Sequence, residues 1–417
     1  MHFPFFKALC LHLPARARAL LLAGMLILPV SGMQEAQATP YTPSDDDAAL
    51  ETLPDTVEPA LRELRTKARD LAGHPRDAVA AADVARRYLK LARRNSDPRL
   101  VGYAQAALQP WWTDPNPPAE LLFLRASLKQ TVHQFDAALI DLQAYLAHAD
   151  LGRGARAQGL LVRATVLSVI GRYPEATQDC VQVTRYADRT TGMLCTAQTD
   201  VLTDRARRSA GVLEILFNQG GLGSDGTLRQ WGDTILADAA ARLGQPALAE
   251  RAYKAALSED SQDAYVLGAY ADFLLDQQRP AEVRTLLQPW LRADGLLLRH
   301  AIALQQLKDG KAASEAEQMG ARFAAARERG DHTHKREEAR YQLMLRGDAA
   351  AALRLAQANW EAQKEPADVR ILAETALATR DAAAQGVVRD WLQRTGLQDQ
   401  ASAALRSLAA PPPRPAS

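Results

Sequence analysis

WGDTILADAAARLGQPALAERAYKAALSEDSQDAYVLGAYADFLLDQQRPAEVRTLLQPWL, residues 231–291, repeats itself at a spacing of 34 residues. Ala237 recurs as Ala271, Leu236 as Tyr270, Pro246 as Pro280, Tyr253 as Leu287 and Leu257 as Leu291. Small residues fall under small, large apolar under large apolar, proline under proline. A period of this length, in a chain rich in alanine and leucine, describes units of two helices stacked on one another.

The same phase extends in both directions. One small position per unit falls at Ala126, Ala164, Ala197, Ala237, Ala271, about Ala303, Ala339 and Ala373. A second falls at Ala104, Ala138, Ala176, Ser209 or Ala210, Ala249, Val283, about Ala316, Ala351 and Gln385. Within a unit the two are 12 residues apart, as in Ala237 and Ala249. Two antiparallel helices that cross closely need small side chains at the crossing, so a bulky replacement there overpacks the contact by roughly 1–3 kcal/mol. Two local echoes support the register. Leu122-Phe-Leu-Arg-Ala-Ser is matched by Leu160-Leu-Val-Arg-Ala-Thr, and Leu108-Gln-Pro-Trp111 returns as Leu287-Gln-Pro-Trp290.

With these residues in hand, the chain resembles the tetratricopeptide-repeat family, in the manner of an exported bacterial member. Gly171-Arg-Tyr-Pro-Glu-Ala176 and Gly244-Gln-Pro-Ala-Leu-Ala249 look like that family's turn, with glycine closing the first helix and alanine inside the second. The resemblance covers about residues 60–396. It implies an all-α, right-handed α-solenoid of helix pairs, a concave groove lined by first helices, and binding without catalysis.

The N-terminal region reads separately. Lys7, Arg16 and Arg18 precede a 12-residue apolar core, Ala19 to Val30, and Ala36-Gln37-Ala38 follows. That is the pattern of a secretory signal peptide, residues 1–38, cut after Ala38, and its apolar core is too short to anchor in a bilayer. Export to the periplasm or beyond is the expectation, with no membrane span after cleavage. Losing three of the 50 basic and one of the 49 acidic residues leaves a net charge of about −1. So balanced a surface gives no footprint for nucleic acid. Residues 39–56 read as a flexible acidic leader, 57–217 as N-terminal repeats and 218–227 as a glycine-rich loop or hinge. Residues 228–408 read as C-terminal repeats and 409–417 as a disordered proline-rich tail.

Cys180 and Cys195 are the cysteines left after processing. The repeat phase puts Cys180 on a second helix and Cys195 on the next first helix, neighbours in the stack. In an oxidising compartment the pair reads as a disulfide, the alternative being two buried thiols.

Signals of chemistry are few. Asp331-His-Thr-His334 with Glu337 and Glu338 has ligand-type residues, but His-x-His at a helix start does not aim both rings at one ion, so no metal is expected. The glycine run Asn218–Gly226 lacks the following Lys-Ser/Thr of a phosphate loop. No nucleophile elbow, HExxH or dinucleotide fingerprint occurs, so no catalytic residue and no cofactor are assigned and the chain reads as a non-enzyme. Trp111 recurs in phase with Trp290 and reads as packing, whereas Trp112 is open between packing and an aromatic anchor.

The resemblance directs attention to the concave face. Counted from the first-helix alanines, its residues are Glu120, Phe123, Ser127 and Gln130, then Trp231, Asp238, Arg242, Tyr265, Asp272 and Asp276. Arg336, Arg340, Arg370 and Glu374 follow toward the C-terminus. Aromatics interleaved with charges suit a peptide or helix. The expected function is a protein–protein interaction scaffold of the bacterial cell envelope, its partner another envelope or exported protein. The alternative is a carbohydrate-binding factor associated with export of a polysaccharide or with peptidoglycan.

Overall fold

The structure is a computed structural model that describes residues 59–409, apart from Ser96 and His332. The expected signal peptide, the leader and the tail from residue 410 lie outside the described residues. Among those residues the chain forms twenty α-helices and no strand. Helices α1 (Pro59–Gly73), α2 (Ala78–Asn95) and α3 (Arg99–Ala107) lead into eight helix hairpins. These are α4 (Ala119–Thr131) with α5 (Phe135–Ala147), α6 (Arg153–Val169) with α7 (Tyr173–Tyr186), α8 (Arg189–Asp200) with α9 (Ala206–Asn218), and α10 (Gly226–Arg242) with α11 (Pro246–Glu259). Then come α12 (Ala264–Asp276) with α13 (Pro280–Leu287), α14 (Asp294–Gln306) with α15 (Ala312–Glu328), α16 (Lys335–Tyr341) with α17 (Ala349–Ala362), and α18 (Pro366–Ala378) with α19 (Ala382–Thr395). Helix α20 (Ala403–Ala409) follows. Each first helix from α4 to α16 packs on its own partner and on the next first helix, and α18 packs on α19 and α20. The chain is an all-α solenoid of tetratricopeptide-like helix pairs.

The expected close-contact positions explain the stacking. All eight first-helix alanines, Ala126 to Ala373, are 3% exposed or less. Both alternatives on α9 are buried, and Ser209 makes the inter-helix hydrogen bond, its Oγ donating to the Ala197 carbonyl at 2.9 Å. Two expected positions shift by one residue. A π-helical turn, Gln342–Arg346, inserts an extra residue after α16, so Ala352 and not Ala351 is buried. At Gln385 the long amide turns to donate to the Ala376 carbonyl, and Ala384 takes the buried place.

Turns follow the same phase. Gly171 and Gly244 close their first helices in the left-handed region, as expected of glycine there. His133, Gln278, Lys308 and Arg380 do the same with φ of 54–59°, where a side chain costs roughly 1–2 kcal/mol. Both Leu-Gln-Pro-Trp echoes form 3-10 turns, Gln109–Trp111 and Gln288–Trp290, since the proline cannot continue the preceding helix's hydrogen bonds. Trp111 is buried against α1–α4, and Trp290 is half-buried.

The glycine-rich segment does not separate two cores. One hydrophobic cluster runs from Leu160 to Tyr341 straight through it, with Leu216, Leu222 and Trp231 buried on either side and within. Asp225 ends the segment as the cap of α10, its carboxylate accepting from Thr227 N and Leu228 N. Cys180 and Cys195 are joined by a disulfide across α7 and α8, with Cα atoms 5.2 Å apart.

Gly192 lies one turn before Cys195. A Cβ there would stand 2.0 Å from Thr184 Oγ1 and 2.8 Å from Thr184 N, so backbone must move. Gly192→Ala is expected to lose about 1–3 kcal/mol in urea unfolding through overpacking. Gly211→Ala on α9 meets nothing within 4 Å, and is expected to gain up to about 1 kcal/mol from helix propensity. Equal effects at the two sites would refute the close-approach reading.

The solenoid curls until its end touches its middle. Lys364 N donates to the Val169 carbonyl at 2.7 Å, Asp204 N to Thr395 O at 3.1 Å, and Gln400 N to Arg242 O at 2.7 Å. The Tyr173 hydroxyl donates to Lys364 O, and the Tyr173 ring meets the edge of Trp391 at 6.0 Å between centroids. These contacts join residues separated by roughly 160–220 positions, and they seat the C-terminal helices against the α6–α7 turn, the α8–α9 turn and the end of α10.

Candidate functional site

Curling turns the concave groove into a cavity of about 2150 Å³. Its wall is made chiefly by α2, α4, α10, α12, α14, α16 and α18, so first helices supply most of the lining. Side chains at the expected phase do reach it, because positions three, four and seven apart share one face of a helix.

Of the sequence-predicted residues, Glu120, Phe123, Ser127, Gln130, Asp238, Arg242, Tyr265, Asp272, Asp276, Arg336, Arg340, Arg370 and Glu374 all line the cavity. Trp231 does not. It is 2% exposed, part of the main core, and its Nε1 donates to Gln198 Oε1 at 2.6 Å. Ring size explains the correction: one residue before Gly232, the indole fills space that faces α8 and not the cavity. Phe123 and Ser127 are also largely buried, Phe123 against Tyr145 and Ser127 donating to the Phe123 carbonyl.

The charged residues lie on the expected face, but few are free. Asp238 accepts from the hydroxyls of Tyr253 and Tyr265 at 2.8 and 2.7 Å. Burial raises both phenols well above their ordinary pKa, and the Asp238 carboxylate adds to the shift. Asp272 binds Arg299 and Arg340, each at 2.6 Å. Burial pushes its pKa up, but the two guanidiniums prevail and hold it at about 2. Arg370 grips Asp276 with both terminal nitrogens, at 2.6 and 2.7 Å, and Glu374 with Nε at 2.8 Å. Glu120 pairs with Arg86. These residues share the cavity wall, yet their charges balance one another across repeats. Arg242 and Gln130 differ, since Arg242 Nε and Gln130 Oε1 are buried without a hydrogen-bond partner.

At the closure seam a second cluster forms from residues that sequence reasoning took singly or missed. Arg336 on α16 holds Glu337 at 2.9 Å, Glu365 at 3.0 Å and Asp368 at 3.3 Å. Asn359 Nδ2 donates to Asp368 at 2.8 Å, and Gln363 Nε2 donates to Asn359 Oδ1 at 3.1 Å. Gln363 also reaches His133 Nδ1, 3.2 Å away and 230 residues earlier in the chain. Burial raises the Glu365 and Asp368 pair against a single shared arginine, Glu365 to about 7. Glu337, bound by the same Arg336 and with His334 nearby, falls well below the carboxylate range despite burial. Burial also drives the His133 pKa down to about 3, so its ring is neutral. Nothing local in the sequence could have joined His133 to Gln363.

The remaining expectations also find places. Asp331 accepts from Thr333, Glu338 pairs with Arg327, and Glu337 with Arg336. No group of three or more metal-ligand residues occurs among the described residues. Trp112 is half-buried, with Lys129 Nζ 5.9 Å from its ring centre. No described helix is long and apolar enough to cross a membrane.

No protein-family model matches the chain, and no curated protein matches it in sequence. Among solved structures it is similar to a tetratricopeptide repeat protein from Parabacteroides merdae, at 13% identity and a TM-score of 0.37. That match covers 56% of this chain and 92% of the other. It is also similar to the APC/C hetero-tetramer Cut9-Hcn1, at 10% identity and a TM-score of 0.34, covering 84% of this chain and 91% of that one.

Proposed function

We propose that this chain is a non-enzymatic scaffold of the bacterial cell envelope that holds a segment of another exported protein in its central cavity. The observation that carries this reading is the cavity itself, built from the inner faces of successive first helices. At about 2150 Å³ it exceeds the roughly 300–1,000 Å³ of a small-molecule pocket, and suits a peptide segment or a short helix. Charges tied to one another hold its wall in shape before a guest arrives, which lowers the ordering cost of binding. The carbohydrate reading lacks comparable support, because Trp111 and Trp231 are buried and offer no ring face to a sugar.

Export supports the same reading. The apolar segment 19–30 and Ala36-Gln37-Ala38 fit a cleaved signal, and the Cys180–Cys195 bond suits an oxidising compartment. A photo-crosslinking side chain placed at Arg242, inside the cavity, is expected to capture one envelope protein. The same group at Val181, 57% exposed on α7, is expected to capture none. The captured segment, made as a synthetic peptide, should compete with crosslinking. Equal capture of that protein from Val181, or no capture from Arg242, would overturn the proposal.

A further inference from the structure

The seam between the α4–α5 turn and the α17–α18 turn contains acceptors that nothing in the fold uses. Gln363 is 3% exposed and lines the cavity, and its Oε1 has no hydrogen-bond partner. Its orientation is fixed by a chain of donors. Asp368 takes hydrogen bonds from Glu365 N and Arg336, so Asn359 must turn its Nδ2 toward it, leaving Asn359 Oδ1 to accept from Gln363 Nε2. The Gln363 oxygen is therefore the end left over. Gln130, one turn before His133 and lining the same cavity, has a second buried and unpartnered amide oxygen. Beside them Glu337, Glu365 and Asp368 share one guanidinium, Arg336.

Orphaned amide oxygens and an excess of carboxylate call for a cation rich in donors. We infer that Gln130, Gln363, Glu337 and Glu365 form a seat for one basic side chain, arginine or lysine, of the peptide that occupies the cavity. This rests on the scaffold reading and specifies what its guest must present. Arg336 already shows that a guanidinium is accepted among these carboxylates, and the unused acceptors leave room in the hydrogen-bonding scheme for a second cation.

The groups facing Glu365 set the pH dependence. Arg336 comes from α16, Asp368 from α18, Tyr173 from α7 and Tyr265 from α12, while Glu337, on the same guanidinium, faces His334 and neutral His133. The single guanidinium does not offset burial, so Glu365 keeps its proton to about pH 7. An arriving cation favours the ionised form, so binding strengthens as pH rises through 7 and releases protons.

The test uses the purified full chain in its exported form and titrates N-acetyl-argininamide and N-acetyl-lysinamide, with neutral N-acetyl-citrullinamide as control. At pH 8 at least one cationic probe is expected to bind tenfold or more tighter than citrulline. That affinity should fall at least threefold at pH 6, with a heat of binding that varies with buffer ionisation. Gln130→Met and Gln363→Met, each checked for an unchanged circular dichroism spectrum, are expected to weaken it at least fivefold. Equal binding of the citrulline probe, or full binding by both folded variants, overturns the seat. Agmatine binding more tightly than the argininamide would overturn the peptide origin of the cation. Crosslinking through Arg242 with no cation binding leaves the scaffold standing and removes this inference, whereas cation binding without crosslinking keeps the cation seat but overturns the scaffold and with it the peptide guest.

Discussion

Arg125→Met is expected to lose about 3–5 kcal/mol of stability, because it strips a buried carboxylate of its main partner. Arg125 and Asp141 are 6% and 2% exposed, and Arg125 grips the carboxylate through Nε and Nη2 at 2.9 and 2.8 Å. Its Nη1 also gathers the carbonyls of Trp111, Trp112 and Asp114. One side chain thus ties α4 to α5 and to the turn after α3. Lys129 remains 2.7 Å from Asp141 and softens the loss, which places the expectation at the lower end of that range. Urea unfolding followed by circular dichroism measures it. Arg125→Met with Asp141→Leu should recover much of the loss, since a well-packed apolar pair replaces an orphaned charge. A loss below about 1 kcal/mol for the single variant would show that the pair is no strut.

Breaking the Cys180–Cys195 bond is expected to cost about 3 kcal/mol, from the chain entropy of a loop of 15 residues. Both sulfurs lie in the main core, on α7 and α8, with Cys180 fully buried. Cys180→Ala with Cys195→Ala should therefore unfold at lower urea, and reductant should lower the midpoint of the parent chain but not of the double variant. Mass spectrometry of the chain purified under non-reducing conditions should find the two cysteines joined. Two alkylatable thiols in that protein would refute the assignment.

Much of this architecture is legible in the chain because repetition encodes it locally. Close-contact alanines, helix-closing glycines and the placement of the cysteines each depend on residues within one or two units. The echo of Leu122-Phe-Leu-Arg-Ala-Ser at residue 160 also carried a hidden signal. Its arginine pairs with an aspartate 16 residues later both times, Arg125 with Asp141 and Arg163 with Asp179. A search for charges repeating in phase would have found both. The register slips at Ala352 and Ala384 were beyond such reading, since a π-turn and a bent glutamine leave no periodic trace.

The candidate site divides along the same line. Helical phase alone puts Asp238, Arg242, Asp272, Asp276, Arg336, Arg340 and Arg370 on one inner face, and they line one cavity. Phase cannot say how a ring packs, so Trp231 was misjudged as exposed. Nor can it say which charges meet.

What the sequence determined by itself is the repeating unit: two helices, a small-residue crossing, a turn and a stack, each fixed by short-range sterics and hydrogen bonding. What only the tertiary structure decided is the closure. Whether Lys364 reaches Val169, Arg370 reaches Asp276, or Gln363 reaches His133 depends on a small rotation per repeat, summed over many repeats. No single unit contains that sum. It converts an open groove into a cavity, pairs the charges of distant repeats, and leaves two amide oxygens at the seam without a partner.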